Sequence, residues 1–173
     1  MTLVFSPMTE ADARAILSWR YVAPYDTYNA PDPDNPSSGD ALAELLDAHS
    51  PYFAVREAGQ ESEPPIGFFA YGSAGEVGGA VAKPCLLRLD GSLTIGLGLR
   101  PDLTGQGRGL ALVEAGLAFA REHYHPTLFR LYVFAWNERA IRVYERAGFA
   151  QVGERRVPMA AGEWVFVEMA RMP

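Results

Sequence analysis

The stretch Leu93-Thr-Ile-Gly-Leu-Gly-Leu-Arg-Pro-Asp-Leu-Thr-Gly-Gln-Gly-Arg-Gly-Leu-Ala-Leu-Val113 decides the fold. Leu93, Ile95, Leu97 and Leu99 alternate with smaller or polar residues at the period a pleated strand requires. Pro101 ends the ladder because it has no N–H, and Pro101-Asp102 opens a loop. Gly105, Gly107 and Gly109 remove every second side chain from the turn that follows, so backbone N–H groups can approach an oxygen-rich ligand without Cβ collisions. From Leu110 the period becomes helical, with Leu110, Val113, Leu117, Ala120 and Tyr124 on one face. The glycine loop therefore feeds the positive end of a helix dipole, where a phosphorylated ligand is favoured.

Spacing separates the glycine-loop families. A dinucleotide fingerprint starting at Gly105 needs glycine or alanine where Leu110 stands, and one starting at Gly107 needs it at Leu112. A Walker loop needs a Gly-Lys-Ser/Thr that is absent from this stretch. The loop Thr104-Gly-Gln-Gly-Arg-Gly109 resembles the acetyl-CoA loop of the GNAT acyltransferase superfamily, R/Q-x-x-G-x-G/A, with Thr104 in place of the usual Arg or Gln. Downstream, Asn137-Glu-Arg-Ala-Ile-Arg-Val-Tyr-Glu-Arg-Ala-Gly-Phe149 matches the same superfamily's N-x-x-A-x-x-x-Y-x-x-x-G-F at every fixed position. The resemblance runs from about Gly67 to the C-terminus.

That resemblance implies an α/β chain, residues 1–173 forming one domain of GNAT-like fold with a central mixed β-sheet flanked by helices. It implies acetyl transfer from acetyl-CoA, as co-substrate, to a primary amine by direct attack in a ternary complex. The cofactor-binding set implied is Thr104, Gly105, Gln106, Gly107, Arg108 and Gly109 for the diphosphate, with Leu97 and Leu99 pairing the pantetheine arm like an extra strand. Asn137 is a candidate for the arm and equally for a plain helix cap. The catalytic candidates are the Leu99 N–H, to polarise the thioester carbonyl, and Tyr144, to protonate the departing thiolate. Gly98 is a candidate bulge that splays the strand from its neighbour. No carboxylate lies between Gly91 and Arg100, so the general base stays unassigned among Asp90, Glu76, Glu138 and a water chain.

The remaining chain reads in order. Leu3 to Ser6 is a short strand, and Thr9 with Asp12 forms a capping box for a helix through Ile16, Leu17 and Trp19. Residues 21–39 are irregular, with Tyr21, Tyr25 and Tyr28 interleaved among prolines, and a helix resumes from Ala41 to His49. The superfamily keeps a lid over its acceptor in this region, which makes Trp19, Tyr21, Tyr25 and Tyr28 the candidate substrate-binding wall; the alternative is that they pack helix on sheet. Tyr52 to Glu57 and Ile66 to Tyr71 read as antiparallel strands, Gly72 to Gly79 as a loop, and Cys85 to Asp90 as a strand pairing with the central one. Phe129 to Trp136 is a strand, and residues 150–169 form a hairpin whose first arm Pro158 breaks.

Composition sets the bounds. At 173 residues and 49% hydrophobic, the chain suits one domain that buries roughly 70% of its unfolded surface. A net charge of −6 argues against nucleic-acid and anionic-membrane partners. Cys85 is the single cysteine, which excludes an intramolecular disulfide and fits a reducing compartment. The first residues lack a basic segment followed by a long apolar run, so the expected location is cytoplasmic. His49, His123 and His125 lack metal-ligand spacing, and no metal is expected. The expected partner is a small-molecule amine, with a homodimer as a possible state. Two rival functions stand beside this one: acetylation of a protein N-terminus, and a catalytically idle acyl-CoA-binding module.

Overall fold

The computed structural model describes residues 2–31, 38–49, 51–77, 85–159 and 162–173. The alternating apolar positions build strands β1 (Leu3–Pro7), β2 (Tyr52–Glu57), β3 (Gly67–Tyr71), β4 (Ser92–Leu99) and β5 (Leu128–Phe134), then the hairpin β6 (Ala150–Met159) and β7 (Gly162–Arg171). They join in one seven-stranded mixed sheet of order β1-β2-β3-β4-β5-β7-β6. The helices α1 (Glu10–Leu17), α2 (Ser38–Leu45), α3 (Arg108–Tyr124) and α4 (Glu138–Arg146) flank it. Only β4 and β5 run parallel, which requires the crossover that α3 supplies.

Helix α3 sets the thickness of the core. Its buried face, Leu112, Val113, Gly116, Leu117 and Ala120, packs with Phe69, Tyr71, Leu93, Ile95, Phe129, Leu131 and Met169. Leu110 and Tyr124, expected on this face, are partly buried at its margin. A Cβ at position 116 would collide with the Phe69 ring, so glycine lets the helix approach the sheet closely. Tyr71 uses the same approach, its hydroxyl donating to the Gly116 carbonyl at 2.9 Å. At the other end of the sheet the Thr9 hydroxyl accepts from the Asp12 N–H at 3.2 Å while the Asp12 carboxylate accepts from the Thr9 N–H at 3.2 Å. That capping box is as expected, and Arg56 of β2 pairs with the same carboxylate, tying α1 to the sheet.

Several local expectations are corrected. Cys85 to Asp90 is not a strand: Arg88 N–H donates to the Ser92 carbonyl at 2.9 Å and Gly91 N–H to the Arg88 carbonyl at 2.8 Å, which makes a turn. The start of the segment is held by Ser73 instead, whose N–H donates to the Cys85 carbonyl at 2.8 Å and whose hydroxyl accepts from the Cys85 N–H at 3.3 Å. Gly72–Gly75 is a 3-10 turn rather than open loop, and residues 78–79 lie outside the described residues. Helix α2 starts at Ser38 with Asp40 in its first turn, earlier than expected, and stops at Leu45. Pro158 does not break β6 but pairs with Glu163. As β6 is an edge strand, a missing N–H there leaves no neighbour short of a donor. The sequence places the hairpin's turn at 160–163, of which 160–161 lie outside the described residues and Gly162 already opens β7.

Candidate active site

The sheet opens where β4 and β5 part. Their pairing runs from Ser92↔Leu128 to Thr94↔Arg130 and then stops, while β4 continues against β3 as far as Gly67↔Leu99. Gly98 is not a bulge: it stays in register opposite Phe68, and its missing side chain makes room for the Phe68 ring. The strands have already separated four residues earlier. Arg100 N–H donates to the Ile66 carbonyl at 2.8 Å, so Gly98 and Gly96 share that direction toward β3. By alternation the N–H groups of Leu97 and Leu99 face the opening.

The start of α3 closes one end of this opening. Gly107 is the N-cap residue at φ 76° and no side chain caps the helix, so its first-turn N–H groups remain open to a ligand. Gly105 and Gly107 both have φ near 75°, and a Cβ added at either would meet nothing within 4 Å, so backbone conformation rather than packing demands glycine there. The polar side chains of the loop turn back onto the protein. Thr104 donates to the Pro101 carbonyl at 2.8 Å, Gln106 to the Asp102 carbonyl at 2.6 Å, and Arg108 to the Glu57 carboxylate at 2.6 Å. The cradle is therefore made of amides, with side chains bracing it from behind.

Asn137 performs two tasks at once. Its Oδ1 accepts from the Ala140 N–H at 3.1 Å and caps α4, while its Nδ2 donates to the Tyr28 hydroxyl at 2.8 Å. The Tyr21 hydroxyl donates to the Leu99 carbonyl at 2.8 Å. Two of the four predicted wall residues thus reach the predicted cofactor strand and helix. Burial pushes the Tyr21 phenol up to about 12 and raises Tyr28 as well. Tyr144 is half-buried on α4, with its ring edge-on to Phe149 at 6.1 Å. Burial, with the nearby Tyr28 hydroxyl adding to it, raises its pKa well above that of a free phenol. Among the described residues the Tyr144 hydroxyl has no hydrogen-bond partner, so it is a protonated donor free for use.

The other two wall residues stand apart. Tyr25 packs on Trp136 at 5.7 Å under the Arg139 guanidinium at 3.8 Å, and Trp19 lies against Phe68 at 6.1 Å. Trp19, two residues beyond α1, packs on β3. Sequence reasoning missed the partners of the tyrosines on β5 and β7: Tyr28 meets the Phe134 ring at 5.5 Å and Trp136 at 6.0 Å, and Phe134 meets Trp164 at 5.2 Å. The two-residue step Tyr132, Phe134, Trp136 and its echo Trp164, Phe166 was the available sign, because alternation puts each set on one face. None of the candidate bases is free. Glu76 accepts from Arg88 Nη2 at 2.7 Å, from Arg88 Nε at 2.9 Å and from the Thr94 hydroxyl, Asp90 accepts from Ser92 at 2.6 Å, and Glu138 accepts from Arg142 at 2.6 Å. Among the described residues no group of three or more His, Cys, Asp or Glu could hold a metal ion, and no helix is long and apolar enough to cross a membrane.

Comparison with known proteins places this geometry. The model of the acetyltransferase (GNAT) family matches residues 13–149, reaching further toward the N-terminus than the two sequence motifs. A mycothiol acetyltransferase of Propionibacterium freudenreichii subsp. shermanii is 46% identical over 56 residues, which cover 32% of this chain and 18% of that protein. The solved structure of aminoglycoside acetyltransferase AAC(6')-Ib with coenzyme A superposes with a TM-score of 0.70 at 22% identity, covering 99% of this chain and 95% of that one. The spermidine N-acetyltransferase of Vibrio cholerae, solved with CoA and spermine, gives 0.71 at 16% identity over 98% and 95%.

Proposed function

The chain belongs to the acetyltransferase (GNAT) family, and from that premise we propose that it is an N-acetyltransferase moving an acetyl group from acetyl-CoA to a primary amine of a small molecule. Enzymes of this family use acetyl-CoA as the donor co-substrate. The observation that carries the proposal is the opening between β4 and β5 beyond Thr94, with the amide-lined start of α3 at one end.

Each residue has a part. The uncapped amides of Gly107 to Gly109 bind the diphosphate, with Gly105 and Gln106 shaping the turn and Thr104, Gln106 and Arg108 bracing it. Leu97 pairs the pantetheine arm, and the Leu99 N–H points at the thioester oxygen and favours charge developing there. Asn137 holds the α4 start and the Tyr28 hydroxyl beside the arm. The amine nitrogen attacks the thioester carbon, the carbon–sulfur bond breaks, and the Tyr144 hydroxyl passes its proton to the departing thiolate. With Glu76, Asp90 and Glu138 all engaged, the amine loses its proton to water.

Tyr21 on Leu99 and Tyr28 on Asn137 lie across the acceptor side of the opening, which favours a small amine over a protein N-terminus. An acceptor screen with acetyl-CoA, scored by thiol release, tests the proposal. Turnover with at least one small primary amine is expected; CoA binding with no turnover on any amine would instead support an idle module.

A further inference from the structure

On the acetyl-transfer reading, we propose that the acceptor is an amine with a single positive charge carried on an aromatic or large apolar body, held by a wall that β5 and β7 build beside the opening. Tyr132 and Phe134 lie on one face of β5, Trp136 follows in the turn after it, and Trp164 and Phe166 lie on one face of β7. Phe134 stacks on Phe166 at 4.4 Å and on Trp136 at 5.3 Å, and meets Trp164 edge-on at 5.2 Å. Tyr28 reaches this cluster from the flap. The rings at its margin stay open to solvent: Tyr28 and Trp136 are 42% exposed and Trp164 is 41% exposed. Large aromatic rings held half-exposed in a continuous cluster next to a reaction centre are suited to cover an apolar group.

Charge selects the number of ammonium groups. The carboxylates rising on this face are already neutralised: Glu76, with a side chain 5% exposed, lies against Arg88 and within 3.6 Å of Arg155, and Glu168 pairs with Arg130 at 2.7 Å. Further out, Glu163 pairs with Arg156 at 2.8 Å. A polycation would have to leave its additional ammonium groups facing arginines, at a desolvation and repulsion cost. Among the described residues of the segment 21–31, the one carboxylate is Asp26, which is exposed between Tyr25 and Tyr28 and suits an ammonium. The aromatic faces favour the same cation.

Four amines at matched concentration test this: phenethylamine, butylamine, spermidine and kanamycin, with kcat/KM read by thiol release. Phenethylamine is expected to exceed butylamine by about 10-fold or more, the ring adding buried area and aromatic contact, and to exceed spermidine and kanamycin. Trp164→Ala should abolish most of the phenethylamine advantage over butylamine while KM for acetyl-CoA holds, and Trp164→Phe should keep it. Preference for spermidine or kanamycin overturns the inference but leaves acetyl transfer to amines standing. So does a phenethylamine advantage that survives Trp164→Ala, or a dimer seen by light scattering that Trp164→Ala dissociates, since the wall would then be a contact between copies. Thiol release with none of the four, despite CoA binding, would overturn the acetyl-transfer reading itself.

Discussion

Asn137 shows how one side chain can be shared between stability and the site. Its oxygen satisfies an orphan N–H of α4 and its nitrogen fixes a flap tyrosine. Asn137→Ala should cost about 1–2 kcal/mol of stability in denaturant unfolding. Asn137→Asp should keep the cap and recover most of that stability, with the Tyr28 contact reversed so that the phenol donates to the carboxylate. Equal stability of the Ala and Asp variants would remove the capping role. Tyr144→Phe should leave CoA affinity intact and lower kcat by about 10- to 1,000-fold, the range for a general acid. An unchanged kcat, with chemistry shown to be limiting, would make Tyr144 a packing residue. The positions of Tyr144 and Asn137 were legible because a local motif fixes them. Arg108 was not, because its partner Glu57 lies 51 positions earlier and only the fold brings them together.

The elements nearest the site were legible wherever period and punctuation agreed. Strand β2 has the boundaries expected from Tyr52 to Glu57, and the Thr9 cap and Asn137 cap both start helices where the sequence puts them. Cys85 to Asp90 looked equally strand-like, but its backbone is taken up by Ser73 and by the turn from Arg88 to Ser92, contacts that only the fold brings about. The opening between β4 and β5 was misattributed to Gly98 because divergence is a property of two strands and cannot be read from one. Two glycines of the α3 unit divide by cause. Gly107→Val should weaken CoA binding by roughly 10-fold or more, since a left-handed position costs an L-residue about 1–2 kcal/mol and the loop must reshape to relieve it. Calorimetry with CoA reads it, and unchanged affinity in a folded variant would sink the amide cradle. Gly116→Ala should leave the loop alone and instead lower the melting temperature, because overpacking against Phe69 costs about 1–3 kcal/mol. A variant as stable as the parent would mean that the α3 contact is looser than the structure has it.

At the scale of the whole molecule, buried tyrosines set the alkaline limit. Burial raises the folded-state pKa of Tyr21, Tyr52, Tyr71 and Tyr144 above the free-phenol value near 10, with Tyr21 at about 12. The folded protein then holds protons that the unfolded chain releases first, so the stability is fully present below pH 10 and is lost as pH rises toward 12 and beyond. Melting temperature followed across that window, alongside phenolate absorbance, should show unfolding and tyrosine ionisation together; early ionisation with the fold intact would contradict the burial. The same protonation keeps the Tyr144 proton available through the neutral range in which the amine must be partly deprotonated. On the proposed function, the chain holds donor and amine together while the acetyl group passes directly between them. Initial rates of thiol release over a matrix of acetyl-CoA and phenethylamine or butylamine concentrations test it most directly. The account predicts intersecting double-reciprocal lines and no thiol release without amine; parallel lines with a stoichiometric burst of thiol before amine is added would contradict it.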